Sequence, residues 1–204
     1  MPNPAPGPKA PAEQFAEVPE GSSTFRDLGL ARRREGPLAA AWWAKGQAGR
    51  AHRTQLLRTA LTRLWDEALE TTGVDPGSTA GCAVALGAVG SLGRGQVGPA
   101  SDLDLVVIYE GREWTDTRRQ ALAKALWYPI WDAGFDLDQS VRSLAECRRI
   151  ASADLPAASG LLSLRAVAGQ RELAERAASA VLADWRGAAR RRLEELSADI
   201  AARE

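Results

Sequence analysis

Two short stretches bring together residue types that could do chemistry in common. Gly90-Ser91-Leu92-Gly93-Arg94-Gly95 has the composition of a tight turn, and Ser101-Asp102-Leu103-Asp104-Leu105-Val106-Val107-Ile108 is an apolar, β-branched run that carries two carboxylates. In a strand, positions two apart point to the same side, so Asp102 and Asp104 are expected to face one spot. Such a pair suits Mg²⁺, which takes hard oxygen ligands and completes its octahedron with phosphate and water. The glycines fit the other half of the task. A turn without Cβ atoms lets backbone N–H groups approach phosphate oxygens, and Ser91 adds a hydroxyl beside them. The expected chemistry is therefore that of a metal-bound nucleoside triphosphate.

Other chemistries are excluded on the same residues. Gly93-Arg94-Gly95-Gln96-Val97-Gly98 satisfies the pattern G-x-G-x-x-G, but its third glycine precedes Pro99 and a strand rather than opening a helix. No G-x-x-x-x-G-K-[ST] run is present, which removes a P-loop. His52 is the sole histidine, which removes histidine-based zinc sites and a Ser-His-Asp triad. Cys82 and Cys147 are two cysteines at unrelated positions, expected to be reduced thiols.

The elements that must position these residues follow from periodicity. The first 22 residues hold six of the eleven prolines and are expected to be disordered. Residues 23–73 form an N-terminal helical segment. In it, Trp42 and Trp43 belong to a short helix as packing residues, and a strong amphipathic helix runs from Arg53 to Thr72, closed by Gly73. Residues 74–143 form the core. Asp75-Pro76-Gly77-Ser78 is a turn, Gly81 to Val89 a buried strand, and Asp102 to Tyr109 its partner strand. Thr115 to Ala133 is a helix that Pro129 should kink and Gly134 should end. Phe135 to Arg142 alternates, with Leu137, Gln139 and Val141 on one face and Asp136, Asp138, Ser140 and Arg142 on the other. Residues 144–204 are expected to be helical, in pieces broken near Pro156 and Gly187. The fold class is α+β: a small mixed sheet flanked by helices, with an N-terminal helix and a C-terminal helical extension.

A chain of 204 residues, 45% hydrophobic, can bury a real core. Its longest apolar run is too short to span a bilayer and its start lacks a signal segment, so a cytoplasmic location without membrane partners is expected. Formal net charge is +0, which argues against nucleic acid as a partner. The basic runs Arg32-Arg33-Arg34 and Arg190-Arg191-Arg192 are expected to be structural, the second as a salt-bridged helix face with Glu194 and Glu195.

The spacing of Ser91 and Asp102 resembles the signature of the DNA polymerase beta-like nucleotidyltransferase superfamily, a Gly-Ser pair followed about ten residues later by an Asp-x-Asp strand. From about Thr54 onward the chain further resembles the N-terminal nucleotidyltransferase domains of PII-protein uridylyltransferases. That likeness rests on Gly93-Arg94-Gly95, Ser101-Asp102-Leu103-Asp104-Leu105, Trp131-Asp132-Ala133-Gly134, Asp138-Gln139-Ser140-Val141-Arg142-Ser143, and Leu161-Leu162 with Arg165 leading to Ala168-Gly169. It implies transfer of a nucleoside monophosphate from UTP, or from ATP in actinobacterial relatives, to a tyrosine hydroxyl of the PII signalling protein. Asp102, Asp104 and Asp138 are the expected catalytic and metal-holding residues, with Asp136 in reserve for Asp138. Gly90, Ser91, Gly93, Arg94 and Ser101 are the expected nucleotide-binding residues. Arg94 could equally pair with a local carboxylate, and Arg142 is expected to be the structural partner of a strand carboxylate. Two other readings stay open: a transferase acting on a small molecule or a toxin protein, and a non-catalytic nucleotide-binding domain.

Overall fold

The computed structural model describes residues 24–74 and 83–202. The proline-rich start, the turn expected at Asp75–Ser78, and Gly81 and Cys82 at the head of the first strand lie outside the described residues. Helix α1, Phe25–Arg32, opens on a capping box in which Thr24 and Asp27 satisfy each other's backbone amides. Helix α2 is the short Ala39–Trp42, and α3 is the long Gly46–Thr72, closed by Gly73 in the left-handed conformation at φ 64°. The expected stripe of α3 is buried: Leu56, Leu57, Ala60, Leu61, Leu64, Trp65 and Ala68. The helix begins seven residues before the expected Arg53. Its first turns carry Gly46 and Gly49 and no apolar stripe, and Gly49 is held by proximity, since a Cβ there would lie 2.1 Å from the Ala44 carbonyl oxygen.

The sheet comes next. Strand β1 is Ala83–Ala88, followed by the single-turn helix α4, Gly90–Gly93, and by β2, Leu103–Glu110. Helix α5, Asp116–Asp132, continues past Pro129 for one turn, and β3 is Leu137–Ser143. Then follow α6, Leu144–Ala153, with a Ser143–Glu146 capping box, and α7, Leu155–Leu162, capped by Asp154 with Pro156 in its first turn. Strand β4 is Arg165–Gly169, and α8, Arg171–Gly187, and α9, Ala189–Ala201, complete the chain. Strand order is β3-β2-β1-β4; β1 pairs antiparallel with β2 and β4, while β2 and β3 are parallel and joined through α5. This is the mixed sheet of an α+β fold. The region after Leu144 departs from the all-helical expectation at one place, β4. Its Arg-Ala-Val-Ala-Gly sequence favours helix locally, and only pairing with β1 makes it a strand.

Alternation along β2 divides the core. Leu103, Leu105 and Val107 pack with α1, α3 and α5 on one face; Val106 and Ile108 pack on the other with Cys147, Leu161, Leu173 and Val181 of the later helices. Asp104 therefore belongs to the face of Val106, under α7. The basic runs are structural. Arg32 lies over the Phe135 ring, Arg34 over Trp43, and Arg190, Arg191 and Arg192 pair with Glu194 or Glu195. No helix among the described residues is long and apolar enough to cross a membrane.

The loop between the glycine turn and Asp102 is tied to the N-terminal helices. Buried Arg53 donates from Nε to the Val97 carbonyl at 2.9 Å and from Nη1 to the carbonyls of Trp42 and Ala44 at 2.6 and 2.7 Å, while Trp42 Nε1 donates to the Pro99 carbonyl at 3.0 Å. Methionine at position 53 fills similar space but leaves these acceptors without their donor. Arg53→Met is expected to lower the stability seen in urea titration by about 3 kcal/mol, and Arg53→Lys to recover only part of it, because an ammonium cannot reproduce the guanidinium fork. Equal midpoints for wild type and Arg53→Met would contradict this role.

Candidate active site

The glycine turn and the acidic strand meet because β1 and β2 are antiparallel neighbours. Ala88 pairs with Leu105, and the Val89 N–H donates to the Asp104 carbonyl at 3.0 Å, so the residue after Val89 emerges beside the Asp104 side chain. That residue is Gly90, at φ 56°, and a Cβ there would stand 2.0 Å from Asp104 Oδ2. No side chain can occupy the position. The Gly90 N–H donates to Ser163 Oγ at 2.9 Å, and that hydroxyl donates to the Gly160 carbonyl at 2.7 Å, so the turn after α7 supports the turn after β1. Gly93 is equally confined, since its Cβ would lie 2.5 Å from the Ser163 carbonyl oxygen and 2.8 Å from that of Ala88. Leu92 anchors α4 in the core.

Ser91 Oγ is buried and has no hydrogen-bond partner among the described residues. A buried hydroxyl left unpaired is costly, and here it stands in the first turn of α4, where main-chain amides have no intrahelical acceptor. Hydroxyl and amides together suit a phosphate oxygen. Arg94 makes no ion pair among the described residues, yet its charge opposes the rise in the Asp104 pKa, so it lies within electrostatic reach of that carboxylate. Ser101 is occupied differently: its Oγ accepts the Gly98 N–H at 2.9 Å and closes the loop ahead of Asp102.

The parallel register of β2 and β3 sets Asp104 opposite Asp138, on the same side of the sheet. The carboxyl of Asp104 is pushed above its ordinary range, first by burial, then by the neighbouring charges of Asp138 and Asp102. Asp102 and Asp138 are exposed, one just before β2 and the other on the edge strand. Thus the structure brings Asp102, Asp104 and Asp138 together. It does not bring Asp136, expected on the same face: Asp136 precedes β3, its carboxylate meets Arg32 Nη2 at 3.4 Å, and its carbonyl accepts the Leu103 N–H. Alternation holds only from Leu137 onward.

A cavity of about 350 Å³ opens over these residues, lined by Gly90, Asp104, Asp138, Ser140 and Arg142, with α7 as its far wall. Arg142 pairs with no carboxylate among the described residues, contrary to the structural role expected for it; it faces the cavity instead. The alternation of β3 already placed it there, but the wall supplied by α7 and the support from Ser163 left no local signal. A larger cavity of about 550 Å³ between α1, α3 and α5 shares no residue with this one. Among the described residues no three acidic, imidazole or thiol groups are close enough to cage an ion alone. Carboxylates spread over one face of the cavity suit Mg²⁺, which draws part of its shell from phosphate and water.

Comparison with known proteins agrees with this geometry. Residues 81–157 match the family model described as nucleotidyltransferase domain. Curated relatives that carry the name bifunctional uridylyltransferase/uridylyl-removing enzyme include those of Streptomyces coelicolor, 49% identical over 113 residues, and Mycobacterium tuberculosis, 39% identical over 140 residues. That of Corynebacterium glutamicum is 43% identical over 102 residues. These alignments cover 55%, 67% and 50% of this chain but 13%, 17% and 14% of the relatives, so the chain corresponds to a small part of each.

The raised pKa of Asp104 has a consequence for stability. The folded protein holds this proton more tightly than the unfolded chain, whose carboxyl titrates at about 3.9. Stability is therefore lost as pH rises from that value through the folded pKa, and the loss is complete above it. Asp104→Asn is expected to melt above wild type at pH 7 in the presence of a chelator, with the gap closing as the Asp104 carboxyl of the wild type protonates in acid. Calorimetry across pH checks this, and an unchanged or lower melting temperature for the variant at pH 7 would contradict the electrostatic reading.

Proposed function

We propose that the nucleotidyltransferase domain in this chain transfers a nucleoside monophosphate, UMP or AMP, from UTP or ATP to a hydroxyl, with a tyrosine of the PII signalling protein as acceptor and the cytoplasm as its setting. The observation that carries nucleotidyl transfer is the contact between the side-chain-free turn at Gly90 and the Asp104 carboxylate, with Asp138 in register beside it. Uridylyl as the group transferred is supported by the name that the relatives share. PII as acceptor is supported by the likeness of the motifs around Asp102 and Ser140–Ser143.

Each residue has work to do in such a transfer. The Ser91 hydroxyl and the first amides of α4 hold the β- and γ-phosphates, and Arg94 adds positive charge beside the triphosphate. Asp102, Asp104 and Asp138 would hold Mg²⁺. When bound, Mg²⁺ neutralises charge on the triphosphate and on the leaving pyrophosphate and acidifies the attacking hydroxyl. The acceptor oxygen attacks the α-phosphorus in line, the bond to the β-phosphate bridging oxygen breaks, and pyrophosphate departs toward Ser91. Asp138, exposed on the edge strand, would serve either as a ligand to the metal on the acceptor side or as the group that takes the acceptor's proton. Arg142, farther along the same strand face, orients the incoming acceptor or the nucleotide body.

The test incubates the protein with α-labelled UTP or ATP, Mg²⁺, and either PII or small hydroxyl compounds. PII is expected to be labelled. Asp104→Asn should reduce labelling by at least about a thousandfold, roughly 4 kcal/mol of barrier, and Ser91→Ala by about tenfold to a hundredfold. Label confined to small molecules would remove PII as acceptor. Metal-dependent nucleotide binding without pyrophosphate release, equal in wild type and Asp104→Asn, would reduce the domain to a binding module.

A further inference from the structure

A third cavity, of about 510 Å³, runs along the open edge of β4 between α3 and α8, and its chemistry is opposite to that of the acidic face. Arg58 from α3, Arg165 from β4 and Arg171 from the start of α8 line it, with Glu175 as the lone carboxylate and Leu164 and Leu182 among its apolar walls. It shares no lining residue with the cavity at Asp104. Three guanidinium groups against one carboxylate leave an excess of two positive charges.

These arginines differ from the ion-paired ones on the surface. Arg148, Arg176, Arg190 and Arg191 each have a carboxylate within 4 Å. In the β4 cleft, among the described residues, no such pair forms. Arg58 makes one long bond, from Nη1 to the Ala166 carbonyl at 3.3 Å, and Arg165 one to its neighbour's carbonyl, Leu164, at 2.9 Å. A guanidinium offers five N–H donors, so most of this capacity is unused. Arg58 is half-buried, and its charge is disfavoured by burial first and then by Arg165 and Arg171. Charges that merely guard a sheet edge against pairing work as well from exposed positions. A half-buried arginine facing two others is stabilised by an anion.

We propose that the cleft formed by Arg58, Arg165 and Arg171 is a binding site for a phosphate monoester, separate from the nucleotidyl-transfer site. A monoester carries close to two negative charges at neutral pH, matching the excess in the cleft. Guanidinium groups take its oxygens in forked pairs, and the leucine walls accept an apolar organic body. The site is independent of the transfer reading, because none of its residues belongs to the acidic face.

Isothermal titration of the whole chain with phenyl phosphate, inorganic phosphate and succinate, each without nucleotide or Mg²⁺, tests this. Saturable binding of phenyl phosphate is expected, about fivefold or more tighter than inorganic phosphate because of the apolar walls, and tighter than succinate. Arg58→Gln and Arg171→Gln should each weaken it by about tenfold or more, while Asp104→Asn leaves it unchanged. Arg171 is exposed, so its variant reports on binding even if Arg58→Gln perturbs folding, which circular dichroism would show. The proposal is overturned by absence of saturable binding, by binding indifferent to Arg171→Gln, or by binding lost in Asp104→Asn. Preference for succinate would reassign the cleft to carboxylates and overturn the phosphate monoester. Loss of nucleotidyl transfer in Asp104→Asn with phenyl phosphate binding intact would separate the two sites.

Discussion

The site depends on one steric constraint: the backbone at position 90 must pass against the carboxylate of Asp104 with nothing between them. Antiparallel pairing of β1 with β2 delivers the two residues to the same spot, and a side chain on residue 90 would occupy the place of Oδ2. A glycine at positive φ is the residue that satisfies both demands. The same closeness recurs one turn later, where Gly93 lies against the carbonyls of Ala88 and Ser163. Small changes in the seating of α4 would therefore move the backbone at Gly90 against the Asp104 carboxylate.

Support for that seating comes from both flanks of the chain. From the C-terminal side, Ser163 accepts the Gly90 N–H and is itself held by the Gly160 carbonyl. From the N-terminal side, Arg53 and Trp42 hold Val97 and Pro99 in the loop that leads to Asp102. The helices outside the sheet thus set the distance between the turn and the strand. The charges that bear on Asp104 are those of Asp138 and Asp102, with Arg94 opposing them. Convergent carboxylates oppose folding, which is the usual relation between a charged functional site and stability.

Much of this was legible in the residues. Period-two alternation puts Asp102 and Asp104 on one side of their strand and Asp138 with Ser140 and Arg142 on one face of the next, glycine spacing marks the turn, and the 3.6-residue stripe identifies α3. What escaped is what only tertiary structure decides. β4 is rich in alanine and becomes a strand by pairing with β1. Asp136 and Asp138 look equivalent in sequence, but the β3 register begins at Leu137, after Asp136 has turned toward Arg32. Arg142 resembled a salt-bridge partner until its strand face proved to open onto a cavity. Ser163 carries no signature at all, since its role is created by a contact with Gly90, 73 positions away.

The formal net charge of +0 conceals a separation of charge that the fold produces. Carboxylates gather over β2 and β3, and guanidinium groups gather at the opposite edge, along β4. A neutral total therefore constrains non-specific association with polyanions but says little about local fields. The two regions are joined by a single short stretch. Gly160 and Leu161 wall the acidic cavity, Leu162, Leu164 and Arg165 line the basic one, and Ser163 between them holds the Gly90 amide. The turn that seats α4 and the start of β4 are thus held within a few residues of each other, by Ser163 on one side and by pairing with β1 on the other.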